Sequence, residues 1–241
     1  IYLVKKVVKD DKKIISATDI TQEKRTERLA SMGQVAAHLA HEIRNPIGSI
    51  SLLNSTLLKR AEPKILPIVE QIQKGIWRVE RIIKATLLFT KGLSITPKEF
   101  NFLDIKSECE EALKFYEYSK DITFELNFPD ALYSGDFDLI AMVFQNILFN
   151  AIDAIEEDEN DEGVVRLSYE KTPNEHKFIV YDSGVSIKNE NIVFEPFKTS
   201  KLKGNGLGLH LCLQIIEAHK GSIEITLEPK TFCINLPIKE K

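Results

Sequence analysis

The sequence predicts an α+β chain: an antiparallel helical hairpin, then a mixed sheet with helices on one face. Three features point that way. Apolar residues recur at spacings of three and four from Leu29 to Leu57, a second such repeat runs from Ile65 to Thr86, and from Ser94 β-branched runs alternate with helical ones. A length of 241 residues fits one or two domains, and 43% hydrophobic content suffices for proper cores. The net charge of −4 gives no global basic field, which argues against nucleic acid as a partner. Cys109, Cys212 and Cys233 lie within apolar patterns and read as reduced, buried thiols of a cytoplasmic protein rather than as a disulfide framework. No run approaches the roughly 20 apolar residues of a membrane helix. The chain begins at Ile1 rather than Met, as expected of a fragment or processed form, so an upstream sensor or membrane segment stays open.

Residues 1–21 carry two β-branched runs, 2–8 and 13–17, around Asp10-Asp11, expected as the remnant of an upstream sensor domain or linker. Residues 22–93 form the hairpin. Its first helix is expected to reach about residue 60, with Leu29, Met32, Ala36, Leu39, Ile43, Ile47, Ile50, Leu53 and Leu57 on one buried seam. Pro46 removes one backbone bond and is expected to kink it. After a turn at 61–64 containing Pro63, Ile65, Val69, Ile72, Ile76, Val79, Ile83 and Thr86 mark the second helix, which ends near Gly92. So short a turn forces antiparallel packing. A lone pair leaves much of the apolar stripe wet, so two copies are expected to form a four-helix bundle. Residues 94–241 are expected as a second domain, with strands at 95–100, 122–128, 164–170, 177–181, 222–227 and 231–236. Its helices are expected at 104–118, 138–156 and 206–219, with a glycine-bearing loop over 183–205.

His41 lies two residues after Leu39 and two before Ile43, which at about 100° per residue sets it opposite the seam, facing water. Arg44 and Asn45 share its face at i+3 and i+4. An exposed imidazole with Glu42 beside it and an amide one turn away suits chemistry, whereas a core histidine would have fallen on the seam. A structural coiled coil explains the seam equally well but not the run His41-Glu-Ile-Arg-Asn-Pro46 on the outer face.

Four clusters in the second domain point to a nucleotide. Asn146, Asn150 and Asp153 lie at i, i+4 and i+7 on one helix face, and amide oxygens are suitable hard ligands for Mg²⁺, although a merely polar face reads the same way. Asp182-Ser-Gly184 closes a strand, where a carboxylate can accept the exocyclic amine of a purine while the backbone turns sharply; an ordinary turn has the same look. Phe194 and Phe197 stand on an otherwise polar loop ending at Lys201, as on a mobile lid. Gly204, Gly206, Leu207 and Gly208 open a helix, where glycines admit close approach of phosphate and free N–H groups face it. No Gly-Lys-Ser/Thr follows, so this is not a P-loop, nor does it sit in a Rossmann unit.

In their order and spacing the five clusters closely resemble bacterial two-component sensor histidine kinases over about residues 22–238. His41 to Pro46 is similar to the family's H box, Asn146 to Ala154 to its N box, Asp182 to Gly184 to its G1 box, Phe194 to Lys201 to its F box, and Gly204 to Leu209 to its G2 box. The resemblance implies a dimerisation and histidine-phosphotransfer hairpin followed by an α/β-sandwich ATP-binding domain of the Bergerat (gyrase/Hsp90-like) type. It also implies autophosphorylation of His41 from MgATP and transfer to an aspartate of a response-regulator receiver domain. Glu42 is then the general base and Asn45 the residue that orients water for a phosphatase activity. Asn150 and Asn146 hold Mg²⁺, and Asp182 reads adenine. Gly204, Gly206 and Gly208 flank the phosphates, and Lys201 neutralises them. Arg-Asn-Pro-Ile-Gly after His-Glu looks most like the soluble nitrogen-regulation and flagellar-regulation kinases. One departure is Ser186, where the G1 box usually carries a second glycine; a close backbone approach needed there would lower nucleotide affinity or set the lid differently.

Three rivals compete. A zinc hydrolase needs His-Glu-x-x-His, and Asn45 stands where the second histidine belongs. A gyrase- or Hsp90-like ATPase needs a carboxylate to activate water where this chain has Asn146, and has no reason for the His41 hairpin. A non-catalytic ATP-binding dimerisation scaffold has no reason to carry His41, Glu42 and Asn150 together.

Overall fold

The computed structural model describes residues 2–9, 12–19, 21–187, 193–198 and 206–238. Strands β1 (Tyr2–Lys9) and β2 (Lys12–Asp19) pair antiparallel as a two-stranded ribbon. Helix α1 (Thr21–Leu58) follows and continues through Pro46, whose ring nitrogen offers no hydrogen to the carbonyl of Glu42. Helix α2 (Leu66–Lys91) has Pro67 in its first turn and stops at Gly92, at φ +79°. The two run antiparallel. Ala40 packs with Ile83 and Leu87, whereas Asn54, further along α1, donates to the Val69 carbonyl at 3.3 Å and to Gln73 Oε1 at 2.8 Å, near the start of α2.

The seam needs a correction. Among the described residues the line of α1 turned into the hairpin is the buried Ala40 and Asn54 with the half-buried Ile47, of which Ile47 alone belongs to the expected set. Leu39, Ile43, Ile50, Leu53 and Leu57 stay exposed in the single chain, as do Ile65 and Ile72. The side chains of Leu29, Met32 and Ala36 lie outside the described residues. A three-and-four repeat marks a stripe more than 100° wide, and a single neighbouring helix covers only one flank of it.

The second region is built from β3 (Lys98–Asn101), α3 (Phe102–Phe115), β4 (Asp121–Leu126), β5 (Leu132–Gly135), α4 (Phe137–Glu156), β6 (Glu162–Lys171), β7 (Glu175–Asp182), α5 (Gly208–Ala218), β8 (Ser222–Leu227) and β9 (Lys230–Pro237). Five strands form one mixed sheet in the order β4-β6-β7-β9-β8, with β4 and β6 parallel and the other neighbours antiparallel. A two-stranded sheet, β3 with β5, stands beside it. The sequence did not predict β5, since four residues are too few to display an alternation. Helix α3 starts at Phe102 rather than 104, because Asn101 and Asp104 form a capping box, and it stops at Phe115 rather than 118.

Helix α4 is the central core helix. By length and composition it is apolar enough to cross a membrane, contrary to the expectation of no such run, yet 72% of that stretch is buried inside the domain. Asp136 caps it, accepting from the Leu139 N–H at 3.2 Å, and the Asp136 N–H in turn donates to His219 Nε2 at 2.9 Å. Along β7 the buried positions alternate as His176, Phe178, Val180 and Asp182. The period of two therefore carries a carboxylate onto the face covered by helices.

Helix α2 also touches this region. Arg81 stacks its guanidinium 4.2 Å over Phe149 and 5.0 Å from Trp77, and Trp77 meets Phe149 edge-on at 5.6 Å. Two residues before its end, Phe89 lies edge-on to Phe197 at 5.3 Å and to His210 at 5.6 Å.

Candidate functional site

His41 is exposed on α1, beside the buried Ala40, and Arg44 and Asn45 are exposed with it, as the helical offsets require. The structure adds a partner that the sequence reading did not weigh. Glu42 Oε1 lies 3.3 Å from Nε2 of His38, one turn back, and both side chains are largely exposed. The i, i+4 spacing was the available signal. In this conformation the carboxylate expected to serve His41 is turned toward His38.

On α4, Asn146 and Asn150 are both partly buried. Gly208 opens α5 directly against Asn146: a Cβ built on it would lie 3.7 Å from Asn146 Oδ1. Cys212, one turn further on, donates to the Val143 carbonyl at 3.8 Å, and burial pushes its thiol up to about 12. Asp153, the third member of the trio, accepts from the Tyr116 hydroxyl at 2.6 Å. Burial and the adjacent Asp153 charge push the Tyr116 hydroxyl up, so it stays a donor. Asp153 thus anchors α3 to α4, while the amide end of the same face meets α5.

Asp182 ends β7 at 4% exposure. Its Oδ1 accepts from the Gly184 N–H at 3.0 Å and lies 2.5 Å from Lys230 Nζ. Lys230 opens β9, is itself buried, and also donates to the Val185 carbonyl at 2.6 Å. Sequence reasoning missed Lys230, which only the β7–β9 pairing brings to Asp182. The need for Gly184 is not a sharp turn. A Cβ there would lie 2.3 Å from the Ala154 carbonyl carbon and 2.4 Å from the Ile155 nitrogen, because the loop runs flat against the α4 backbone, where Val185 N–H bonds Ala154 O at 3.0 Å. Ser186 is exposed.

Phe194 packs against the core, and its carbonyl accepts from His210 Nδ1 at 2.8 Å. Phe197 and Gly206 hold each other. Phe197 N–H donates to Gly206 O at 2.9 Å, and Gly206 has φ +65° where a Cβ would come within 2.6 Å of the Phe197 carbonyl carbon. Leu207, buried at 4%, is the N-cap of α5, and the helix starts beside Asn146. Lys201 and Gly204 lie outside the described residues. Four of the five sequence clusters therefore touch around α4: Gly184 on Ala154, Gly208 on Asn146, Gly206 on Phe197. The fifth, at His41, stands on the hairpin. Among the described residues no group of three or more His, Cys, Asp or Glu is placed to hold a metal ion.

An exposed histidine on a helical hairpin, followed by a mixed sheet with glycine-bearing segments packed against α4, is the arrangement of a phospho-acceptor hairpin joined to an ATPase-type domain. Residues 31–94 match the family described as "His Kinase A (phospho-acceptor) domain", and residues 135–240 match "Histidine kinase-, DNA gyrase B-, and HSP90-like ATPase". The chain belongs to the two-component sensor histidine kinases. It is similar to Sensor histidine kinase FlgS of Helicobacter pylori, 52% identical over 240 residues that cover 98% of this chain and 62% of that protein. It is also similar to Sporulation kinase C of Bacillus subtilis, 30% identical over 89% of this chain and 51% of that protein. A third relative, Sensor histidine kinase ZraS of Salmonella typhimurium, is 31% identical over 89% of this chain and 48% of that protein. The chain thus spans between 48% and 62% of the length of these relatives. Among solved structures, Acinetobacter baumannii histidine kinase AdeS aligns over 83% of this chain and 98% of its own, with TM-score 0.51 and 20% identity. Mycobacterial sensor histidine kinase MprB aligns over 59% and 97%, with TM-score 0.50 and 24% identity. At those identities the likeness is one of fold.

Proposed function

We propose that this chain is the kinase core of a cytoplasmic homodimer that autophosphorylates His41 from MgATP and passes the phosphoryl group to an aspartate of a response-regulator receiver domain. The observation that carries the reading is the pairing, in one chain, of an exposed histidine on a phospho-acceptor hairpin with four nucleotide-type motifs in contact around α4. Residues 22–93 form the phosphotransfer unit and 94–241 the ATP-binding unit, preceded by a remnant of sensor or linker. Of the two sub-groups that the H box resembles, the flagellar-regulation branch is the one favoured by the identity to FlgS.

In the reaction, one ring nitrogen of neutral His41 attacks the γ-phosphorus, and ADP leaves with the electron pair of the broken P–O bond. Glu42 takes the proton from the other ring nitrogen, which requires its carboxylate to turn from His38 to His41. Asp182 accepts from the adenine amine. Gly206 and Gly208, with Gly204 and Lys201, line the phosphates, and Phe194 and Phe197 form the lid base. Asn150, supported by Asn146, would hold Mg²⁺, which would supply positive charge against the phosphates. A gyrase- or Hsp90-like ATPase is not favoured, since Asn146 is no carboxylate and such a machine does not use a phospho-acceptor hairpin.

Asn45, one turn beyond His41, orients water against the regulator's phospho-aspartate. Asn45→Ala is therefore expected to leave autophosphorylation intact and to slow regulator dephosphorylation on the order of 10- to 100-fold, the scale of one positioned polar group; equal loss of both activities would remove that role. The kinase reading itself is tested by incubating the protein with labelled ATP and Mg²⁺ beside His41→Gln. Label on the protein that is lost in acid, stable in alkali and missing from His41→Gln is the expected result. Steady phosphate release without labelled protein would instead mark an ATPase.

A further inference from the structure

His210 is a half-buried residue at the third position of α5, where separate parts of the chain meet at its ring. A helical side chain leans toward the N-terminus of its helix, so a residue placed there reaches back over the first turn. Its Nδ1 meets the Phe194 carbonyl at 2.8 Å. A carbonyl only accepts, so the hydrogen sits on Nδ1. Phe89 of α2 stands edge-on to the same ring at 5.6 Å and to Phe197 at 5.3 Å. The segment held in this way is strained. Phe197 has φ +61°, in the left-handed region that bulky residues rarely adopt, and its N–H bonds the carbonyl of Gly206, itself at φ +65°. Such a conformation persists only where its surroundings over-determine it. Here they are the Gly206 carbonyl, Phe89 and, three residues earlier at Phe194, His210. Gly206 leads through Leu207 into Gly208, which starts α5 against Asn146. By itself the bond to Phe194 satisfies a turn carbonyl and no more. Beside a strained Phe197 that grips Gly206, it bears on the place where the phosphates are proposed to lie.

We infer that His210 is a positioning residue for the phosphate end of the nucleotide site: by holding the Phe194 carbonyl it keeps Phe197 engaged with Gly206, and so fixes the approach to α5 from which Gly206 and Gly208 face the phosphates. The inference rests on the proposed phosphate role of those glycines and adds the side chain that keeps them in place. His210 need not touch the nucleotide, since its effect passes through Phe194, Phe197 and Gly206. What it contributes is preorganisation, the ordering that a loose segment would otherwise undergo at the moment of binding.

The test is a binding comparison between MgATP and adenosine, measured by calorimetry on the full chain. Adenosine keeps the base contact proposed for Asp182 and has no phosphates. The native protein is expected to prefer MgATP about 10- to 150-fold, the scale of a hydrogen bond to a charged acceptor. In His210→Ala that preference is expected to fall about 3- to 10-fold, the scale of one neutral hydrogen bond, while adenosine keeps its affinity within about twofold. His210→Asn, whose side-chain N–H can stand in for that of Nδ1, is expected to keep the preference within about twofold of native. Should His210→Ala fail to fold, His210→Leu, which fills the space without a donor, carries the same comparison. MgATP and adenosine weakened alike would reduce His210 to a structural tie and overturn the inference. An unchanged preference in His210→Ala, or a His210→Asn as impaired as His210→Ala, would overturn it too, and in each case the proposed phosphate site would stand. Absence of any preference for MgATP in the native protein would overturn the phosphate role of the glycines, and this inference with it.

Discussion

Leu52, Leu53 and Ile68 of the hairpin are 71%, 65% and 62% exposed, whereas Phe102, Phe144 and Phe178 of the sheet domain are wholly buried. The sheet domain closes its core within one chain, between α3, α4 and α5 on one side and the inward residues of the sheet on the other. The hairpin does not. Among the described residues its inward side chains are Ala40, Ile47 and Asn54 on α1 and Val69, Ile76, Val79, Ile83 and Leu87 on α2, and a second apolar face is left uncovered. An exposed apolar face of that kind marks an interaction surface, and under the proposed function its occupant is a second copy. On that proposal, ATP binding is housed in a unit whose core closes within one chain, and presentation of His41 in one whose apolar face is left open.

Helix α2 links the two. Ile76 and Ile83 face α1, Ile68, Ile72 and Ile82 face outward, and Trp77, Arg81 and Phe89 face the sheet domain. Phe89 reaches Phe197, on the same loop that Gly206 grips. Phe89 thus ties that loop to the last turn of α2.

Three substitutions sharpen the contrast. Phe178→Ala, in the closed core, is expected to destabilise the sheet domain by about 3–5 kcal/mol, read from denaturant midpoints that do not vary with protein concentration. Leu53→Asp, on the open face, is expected to remove about 1.5–3 kcal/mol of dimer burial per subunit. Sedimentation should show monomer, the hairpin's melting should lose its concentration dependence, and ATP binding should persist. A dimer as tight as the native one would place the interface elsewhere. The smallest effect is expected at the joint. Arg81→Ala removes a guanidinium held by Phe149, Trp77 and Tyr116 and should loosen docking by about 1–2 kcal/mol. The chain has a single tryptophan, so the emission of Trp77 should shift to the red as it enters water; an unchanged spectrum would mean that docking does not depend on Arg81.

The elements that the sequence made legible are those with a long period. Both hairpin helices, α4 and the single strands on either side of Asp182 follow from spacing, whereas the exposure of His41 was expected from a seam whose members Leu39 and Ile43 are themselves exposed. Three things escaped for physical reasons. The seam of the hairpin was read as one line because α2 is apolar on three sides, and periodicity does not say which neighbour covers which side. Strand β5 has only four residues. The partners at the site come from pairing distant in sequence: Lys230 reaches Asp182 across β7 and β9, and Gly184 is demanded by the α4 backbone rather than by its own turn. Glu42 with His38 was local and legible, but a base was sought only for His41.

The most direct measurement of the account compares labelling with binding. The native chain, His41→Gln and Asp182→Asn would each be incubated with labelled ATP and Mg²⁺, and nucleotide affinity measured on the same preparations. Label is expected on the native protein alone, with His41→Gln binding ATP normally and Asp182→Asn binding it about 10- to 150-fold more weakly. Label that persists in His41→Gln would place the phosphoryl group on another residue and contradict the assignment of His41 as the acceptor.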